Sequence, residues 1–271
     1  MSEQLAIITV SYNKTAIHQL LESLDVPHQR ATLFIVDISG NADTYPNTKH
    51  LSVSVLARPN RGYAAGVNEG LKEAKRHGNQ LYCVINDDTF VAKDFVDTTI
   101  TAIKKNPDAL IGGAIYYAPG YEFHHDRYTK KDLGKVFWYA GGYVDWAHSQ
   151  PAHRGVDEVD HQQFYRAERT SFITGCLMAF NSQTLKKLGY WDESYFLYYE
   201  DADYCERAKR KNIALVYDPS IKIWHLVSQS TDGSGSSLHK KYQRKNLVKF
   251  ALRYAPIKTK AHILKNFLFG L

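Results

Sequence analysis

Cysteine and methionine are scarce in this chain of 271 residues, at three and two. Cys83, Cys176 and Cys205 are odd in number, far apart and without a C-x-x-C spacing, which argues against a disulfide framework or a zinc site. No run comes near the roughly 20 apolar residues that cross a bilayer, and Met1 to Val10 lacks the basic and then apolar plan of a secretory signal. A cytoplasmic protein is expected. The glycine-containing helix start Arg58-Pro-Asn-Arg-Gly-Tyr-Ala-Ala-Gly-Val-Asn68 is neither a G-x-G-x-x-G turn nor a G-x-x-x-x-G-K-[ST] loop, so dehydrogenase and P-loop readings lose their main support. Acidic residues are missing altogether from Gly233 to Leu271.

That last absence divides the charge unevenly. The net charge is +6, but nine Lys and Arg lie in residues 233–271, leaving 25 basic against 28 acidic residues in the rest. Aromatic side chains are plentiful, with 19 Tyr and 12 Phe, and 44% of residues are hydrophobic. This is enough for one large α/β domain, or one with a modest appendage.

Apolar β-rich runs at Leu5 to Val10, Thr32 to Val36, Leu51 to Leu56 and Leu81 to Ile85 alternate with helical spacing at Ile17, Leu20, Leu21 and Leu24 and over Tyr63 to Arg76. Such alternation predicts right-handed βαβ units and a mostly parallel sheet, with ligands beyond the carboxyl ends of its strands. Asn13, Asp37 and Asp88 each follow a predicted strand. Residues 119–168 read as loops with a β-like insertion at Lys135 to Trp146. Further on, a strand is expected at Thr170 to Asn181 and helices at Ser182 to Leu188 and Glu200 to Lys211. Closing strands at Ile213 to Tyr217 and Ile221 to His225 precede a Gly/Ser-rich loop at Thr231 to Ser237.

Two acidic clusters carry chemistry. In Tyr195-Phe-Leu-Tyr-Tyr-Glu-Asp-Ala-Asp203, three carboxylates emerge among aromatic rings, whose low dielectric can raise a carboxyl toward the range of a general base. The same acids also suit a helix start, where unpaired N–H groups and the dipole favour negative charge. Asn86-Asp87-Asp88 closes a hydrophobic strand, and a carboxylate there can ligate Mg²⁺ or Mn²⁺ on a diphosphate, although Asp-rich turns are common. His225 can be a metal ligand, a phosphate donor or an ordinary surface residue. Small residues at Ala64, Ala65 and Gly66 allow close approach of a ligand or of the sheet.

In this order the pieces resemble glycosyltransferase family 2, over roughly residues 5–255. The resemblance rests on Val10-Ser-Tyr-Asn13, Val36-Asp37, Asn60-Arg-Gly-Tyr-Ala-Ala-Gly-Val-Asn68, Asn86-Asp-Asp88, Gly175, Leu188-Gly-Tyr-Trp-Asp-Glu193, Tyr198-Tyr-Glu-Asp-Ala-Asp203 and His225. It implies the GT-A fold, a single α/β domain over residues 1–232 with a nucleotide-sugar half to about residue 115 and an acceptor half after it, and a basic helical extension over 233–271. It also implies an inverting transferase with a dTDP- or UDP-sugar donor, a saccharide or polyprenyl-linked acceptor, and Mg²⁺ or Mn²⁺. By the same resemblance, Ser11, Tyr12, Asn13, Asp37, Asn60, Gly62, Asn68, Asn86, Asp87 and Asp88 bind the donor. Asp88 and His225 hold the metal, Gly175, Trp191 and Tyr199 face the acceptor, Asp201 is the base and Glu200 its support. The chain departs from the usual pattern in having Asn86 where the metal motif begins with Asp, and Ile38-Ser-Gly-Asn41 after the second strand.

Tyr139-Ala-Gly-Gly-Tyr-Val-Asp-Trp146, His153, Gly155 and Tyr242-Gln-Arg-Lys-Asn246 resemble rhamnosyltransferase-type members that build bacterial surface polysaccharides, which implies rhamnose from dTDP-rhamnose. A UDP-hexose or galactofuranose transferase is the alternative. The basic residues of 242–246 suit either a solvated face or a phosphate contact. Beyond Pro256, Ile257, Ala261, Leu264, Phe267, Leu268 and Leu271 recur at helical spacing between lysines, as expected of a helix lying on an anionic membrane or packed on its own domain or a second subunit. No nucleic-acid motif is present, which weighs against a non-catalytic binding module. A nucleotidyltransferase is disfavoured because residues 5–15 contain no glycine.

Overall fold

The computed structural model describes residues 4–27, 30–41, 44–227 and 237–269. The Gly/Ser-rich loop therefore falls outside the described residues, apart from Ser237, as does Leu271. Twelve strands are formed: β1 (Leu5–Ser11), β2 (Ala31–Asp37), β3 (Ser52–Ala57), β4 (Leu81–Ile85), β5 (Thr89–Val91), β6 (Ala109–Tyr117), β7 (Phe137–Tyr139), β8 (Gly142–Asp145), β9 (Gln150–His153), β10 (Glu168–Arg169), β11 (Leu177–Asn181) and β12 (Ala214–His225). The helices are α1 (His18–Leu24), α2 (Tyr63–Arg76), α3 (Phe95–Lys105), α4 (Ser182–Leu188), α5 (Glu200–Arg210), α6 (Ser237–Tyr254) and α7 (Ile257–Phe269).

The main sheet runs β10-β12-β6-β11-β4-β1-β2-β3, with β5 and β7 branching from β12 and β6. Strands β1 to β4 are parallel, as is the β6/β12 pair, and β11 runs antiparallel between β4 and β6. Helices on both faces explain why β1, β4 and β6 are continuous apolar runs without alternation: every one of their residues is buried. The pairing register sets Ser11 opposite Asp37, so the donor-side polar residues leave the sheet together.

Two elements escaped the sequence reading, although both have a signal. Helix α3 buries Phe95, Val96, Thr99, Ile100 and Ile103, and β6 is the long apolar run Ala109 to Tyr117. Two boundaries also differ. The strand expected from Thr170 is regular only from Leu177, because residues 170–176 are bends and turns. The two closing strands are one, β12, whose register slips between Asp218 and Lys222. Small residues at the start of α2 serve sheet packing: a Cβ on Gly66 would stand 2.7 Å from the Val10 side chain.

Helix α6 is fastened to the domain. Phe250 is buried in the main core, stacked 5.8 Å from Trp146, while Ala251, Ala255 and Ile263 form a small cluster between α6 and α7. No helix among the described residues is long and apolar enough to cross a membrane.

Candidate active site

Strand β4 delivers the first acidic cluster. The Asn86 amide oxygen lies 3.0 Å from the Tyr63 hydroxyl, so this residue is turned toward α2. Asp87 and Asp88 are both buried. Burial, then the like charge of Asp88, push the Asp87 carboxyl well above its usual range, opposed by the Ser11 hydroxyl. Asp88 Oδ1 is 3.1 Å from His225 Nε2, and the Leu226 N–H donates to the Asp88 carbonyl at 2.8 Å. His225 is held at the end of β12 with its ring edge-on to Trp138 at 4.6 Å.

Beside this pair lies the carboxyl edge of β1 and β2. Burial pushes Asp37 up, but the Ser39 hydroxyl and N–H, at 2.6 and 2.9 Å, and the Lys14 ammonium, at 3.0 Å, hold it below its usual range. The departure at Ile38-Ser39 is thus a turn closed on Asp37 itself. Tyr12 is 58% exposed, and Asn13 caps a turn by accepting from Thr15 N at 3.1 Å. Four buried polar atoms here, Ser11 Oγ, Tyr45 Oη, Asp87 Oδ2 and His225 Nδ1, lack a hydrogen-bond partner. Such groups are candidate contacts for a ligand.

The second cluster starts α5. Asp201 Oδ2 accepts the Gly175 N–H at 2.9 Å and Oδ1 its neighbour Ala202 N–H at 2.8 Å. Burial raises the Asp201 carboxyl, and these N–H groups oppose the rise. Burial and then Asp201 push Glu200 well up, while Glu200 Oε2 has no partner. The N–H bonds favour charge on Asp201, and among the described residues Glu200 has no such bonds to its neighbours.

Both clusters meet at two residues of backbone. The Gly175 N–H binds Asp201, and the Cys176 carbonyl accepts the Asn86 N–H at 3.1 Å. The Gly175 carbonyl lies 3.1 Å from the Tyr63 hydroxyl. Gly175 is closely packed: a Cβ would stand 3.3 Å from the Trp191 ring and 3.4 Å from Asp201 Cβ.

Five residues expected at the site are engaged in contacts within the protein. Asn68 is 1% exposed, and its amide is used on the Trp191 backbone, at 2.9 Å in both directions, and on Glu193 at 3.0 Å; it ties the halves together and leaves no amide hydrogen for a donor. Gly62 (φ 96°) abuts the Phe196 carbonyl, which a Cβ would approach to 2.4 Å, so its smallness serves a loop and not a ligand. Trp191 stacks on Tyr204 at 5.1 Å, and Tyr199 packs on Phe250 at 5.4 Å; both are buried supports for the carboxylates. Asn60 closes its loop by accepting the Gly62 N–H at 3.0 Å.

Sequence reasoning missed Tyr63, Lys14, Tyr45 and Asn246 as site-forming residues. Tyr198 and Tyr199 both have left-handed backbone, φ 68° and 71°, a costly state for bulky residues. The buried Asn246 of α6 donates to the carbonyls of Leu197, at 2.8 Å, and Tyr198, at 3.1 Å, and Tyr242 stacks on Phe196 at 4.8 Å. The 242–246 pattern was in view, but its partners lie about fifty residues away.

A divalent cation fits this geometry as a ligand shared with substrate. Among the described residues no group of three or more His, Cys, Asp and Glu could hold a metal. Asp88 and His225 supply one carboxylate and one imidazole, so diphosphate oxygens and water would complete the shell.

The sequence profile described as glycosyl transferase family 2 matches residues 6–189, more than half of the chain. The chain belongs to this family. It is 23% identical over 216 residues to the low-salt glycan biosynthesis hexosyltransferase Agl10 of Haloferax volcanii, covering 79% of this chain and 64% of that one. It is 21% identical over 249 residues to the N-acetylglucosaminyl-diphospho-decaprenol L-rhamnosyltransferase of Mycobacterium tuberculosis, covering 85% and 78%. Among solved structures, GalNAc-T7 with UDP, GalNAc and Mn²⁺ superposes with a TM-score of 0.65 at 15% identity, over 92% of this chain and 47% of that one. TarS 1–349 of S. aureus in complex with UDP gives 0.53 at 18% identity, over 98% and 70%. These likenesses establish the GT-A fold for this family 2 member.

Proposed function

We propose that this family 2 protein is an inverting glycosyltransferase that moves a sugar, rhamnose from dTDP-rhamnose by preference, to a saccharide or polyprenyl-linked saccharide in cell-surface polysaccharide synthesis. One observation carries the reading: Gly175 and Cys176 hydrogen-bond an acidic group on each side, Asp201 through one N–H and the Asn86-Asp87-Asp88 turn through one carbonyl. Inversion needs this two-sidedness, because the acceptor oxygen attacks the anomeric carbon opposite the departing nucleotide diphosphate.

Ser11, Asp37 and Lys14 surround the place for the nucleoside, with Tyr45 beside them. Asp88 and His225 hold the divalent cation, which when bound stabilises negative charge on the diphosphate. Asp201 takes the hydroxyl proton as the acceptor oxygen–carbon bond forms and the bond to the diphosphate oxygen breaks. Its raised carboxyl matches that task better than a free one would. Glu200, whose carboxyl burial raises well above its usual range, supports Asp201 from the neighbouring position. The rhamnosyltransferase and hexosyltransferase relatives support a sugar of the hexose class, and the UDP-bound neighbours give the UDP-sugar reading its weight.

The α6–α7 extension is read as a peripheral attachment to an anionic membrane. Leu252, Ile257 and Leu264 stay exposed, Ile257 at 79%, among basic residues with no acidic neighbour in the segment. The lipid-linked acceptor of the mycobacterial relative agrees with such a site.

The test is a thermal-shift panel of dTDP, UDP and their sugars with and without Mn²⁺, followed by nucleotide release from the sugar that stabilises. Asp88→Ala and Asp201→Ala must each abolish release while remaining folded. Turnover unchanged in Asp201→Asn would sink the assigned base, and a dTDP- against UDP-specific shift decides the donor.

A further inference from the structure

A groove of about 800 Å³ lies outside the carboxylate centre, between α3, the slipped segment of β12 and the loop 160–167. Its size is that of a small-molecule site. Tyr116, Phe137, Phe164 and Tyr165 contribute to the wall, and Tyr116 and Phe137 stack at 4.7 Å. Tyr165 is 60% exposed, an unusual amount of ring for water to cover.

The polar groups of the wall are fixed in advance. Asp160 accepts from the Tyr116 hydroxyl and the Gln162 N–H, both at 2.7 Å. Asp218 accepts from Ser220, at 3.0 Å from N and 2.7 Å from Oγ. The Gln162 amide and the Lys105 and Lys222 ammonium groups stand at the same groove.

This mixture selects among ligand classes. A lipid chain would strip water from Asp160 and Asp218 without replacing it. A polyanion would meet Asp97, Asp160 and Asp218 against only Lys105 and Lys222. A saccharide suits all of it: its C–H faces lie on rings, and its hydroxyls donate to fixed carboxylates and accept from amide and ammonium groups.

We propose that the groove is a second saccharide site that holds sugar residues of the acceptor or product chain apart from the reacting end. The proposal rests on the transferase reading. Lys222 precedes His225 by three residues on β12, about 10 Å along the strand, and its side chain lies on the opposite face of the sheet.

Saturation-transfer NMR on the full chain tests this, with maltotriose, N,N′,N″-triacetylchitotriose and a rhamnose trisaccharide as probes. At least one probe should bind wild type, and bind equally to Asp201→Asn saturated with UDP. Tyr165→Ala, at an exposed ring, and Gln162→Gly, at a backbone φ of 67° that glycine accepts, should each weaken it about tenfold with unchanged melting. Three silent probes, binding that survives both groove changes, or binding lost in Asp201→Asn would overturn the proposal. Nucleotide release without acceptor, measured on the same wild-type sample, separates the two readings: no release from any donor rejects the transferase, whereas release with no groove binding rejects the groove alone.

Discussion

The two sides that we propose for donor and acceptor are built by different routes in this molecule. On the donor side, Ser11, Asp37 and Asp88 stand at or just beyond the ends of β1, β2 and β4, and parallel pairing alone brings them together. On the acceptor side, Glu200 and Asp201 follow two left-handed tyrosines and are held by Gly175, by the Gly62 loop and by Asn246 of a C-terminal helix. A sheet edge positions polar groups by local order. The acceptor carboxylates instead require several distant contacts at once, and the most damaging substitutions should fall there.

Asp201→Asn should lower sugar transfer by roughly 10²–10⁴-fold while nucleotide-induced thermal shifts stay unchanged, which stopped-flow or product-release kinetics and melting curves can check. Next in size, Asp203→Ala should destabilise the fold by about 3–5 kcal/mol in denaturant titrations. Asp203 is fully buried beneath Arg207 and Arg253, each at 2.9 Å, and the Tyr254 hydroxyl at 2.7 Å, so its loss leaves three donors without their shared acceptor, although Arg253 keeps Asp192 at 2.6 Å.

Asn246→Ala tests whether the brace acts through geometry. Two loop carbonyls lose their donor, worth about 1–3 kcal/mol, and kcat should fall about tenfold with the donor KM preserved. An equal rise in donor KM would mean that the two sides are not separable. The pH profile is a milder probe: a base with a raised carboxyl works only when deprotonated, so the acid limb of kcat/KM should lie above the ordinary Asp range near pH 4. The smallest effect belongs to Lys14→Met. Asp37 is held low in the fold, so its contribution to stability is present above about pH 4 and lost as pH falls through the lower folded value. Removing Lys14 should cut that contribution by less than about 1 kcal/mol, visible as earlier acid unfolding.

Most of the donor half was legible because its signals are local. The apolar runs of β1 to β4 and the polar residues just after them lie side by side in the chain, and the parallel order follows from strand–helix alternation. Helix α3 and β6 were equally legible and were passed over. The meaning of Asn68, Trp191 and Tyr199 was not legible, because residue type cannot distinguish an amide or ring offered to a ligand from one used on a distant backbone. Asn246 shows the same limit from the other side: its motif was noticed, but a solvated helix face and a loop brace have the same sequence pattern.

The sequence by itself determined the family, the parallel α/β half and the two kinds of acidic cluster, since hydrophobic periodicity and short motifs are properties of neighbouring residues. Tertiary structure alone decided that Gly175 and Cys176 link Asp201 to the Asn86 backbone, and which of Glu200 and Asp201 receives the N–H groups that favour charge. It also decided that the C-terminal helix braces the loop just before Glu200 and Asp201. Those outcomes depend on burial and on contacts between residues far apart in the chain, and both come into being only when the chain has closed on itself.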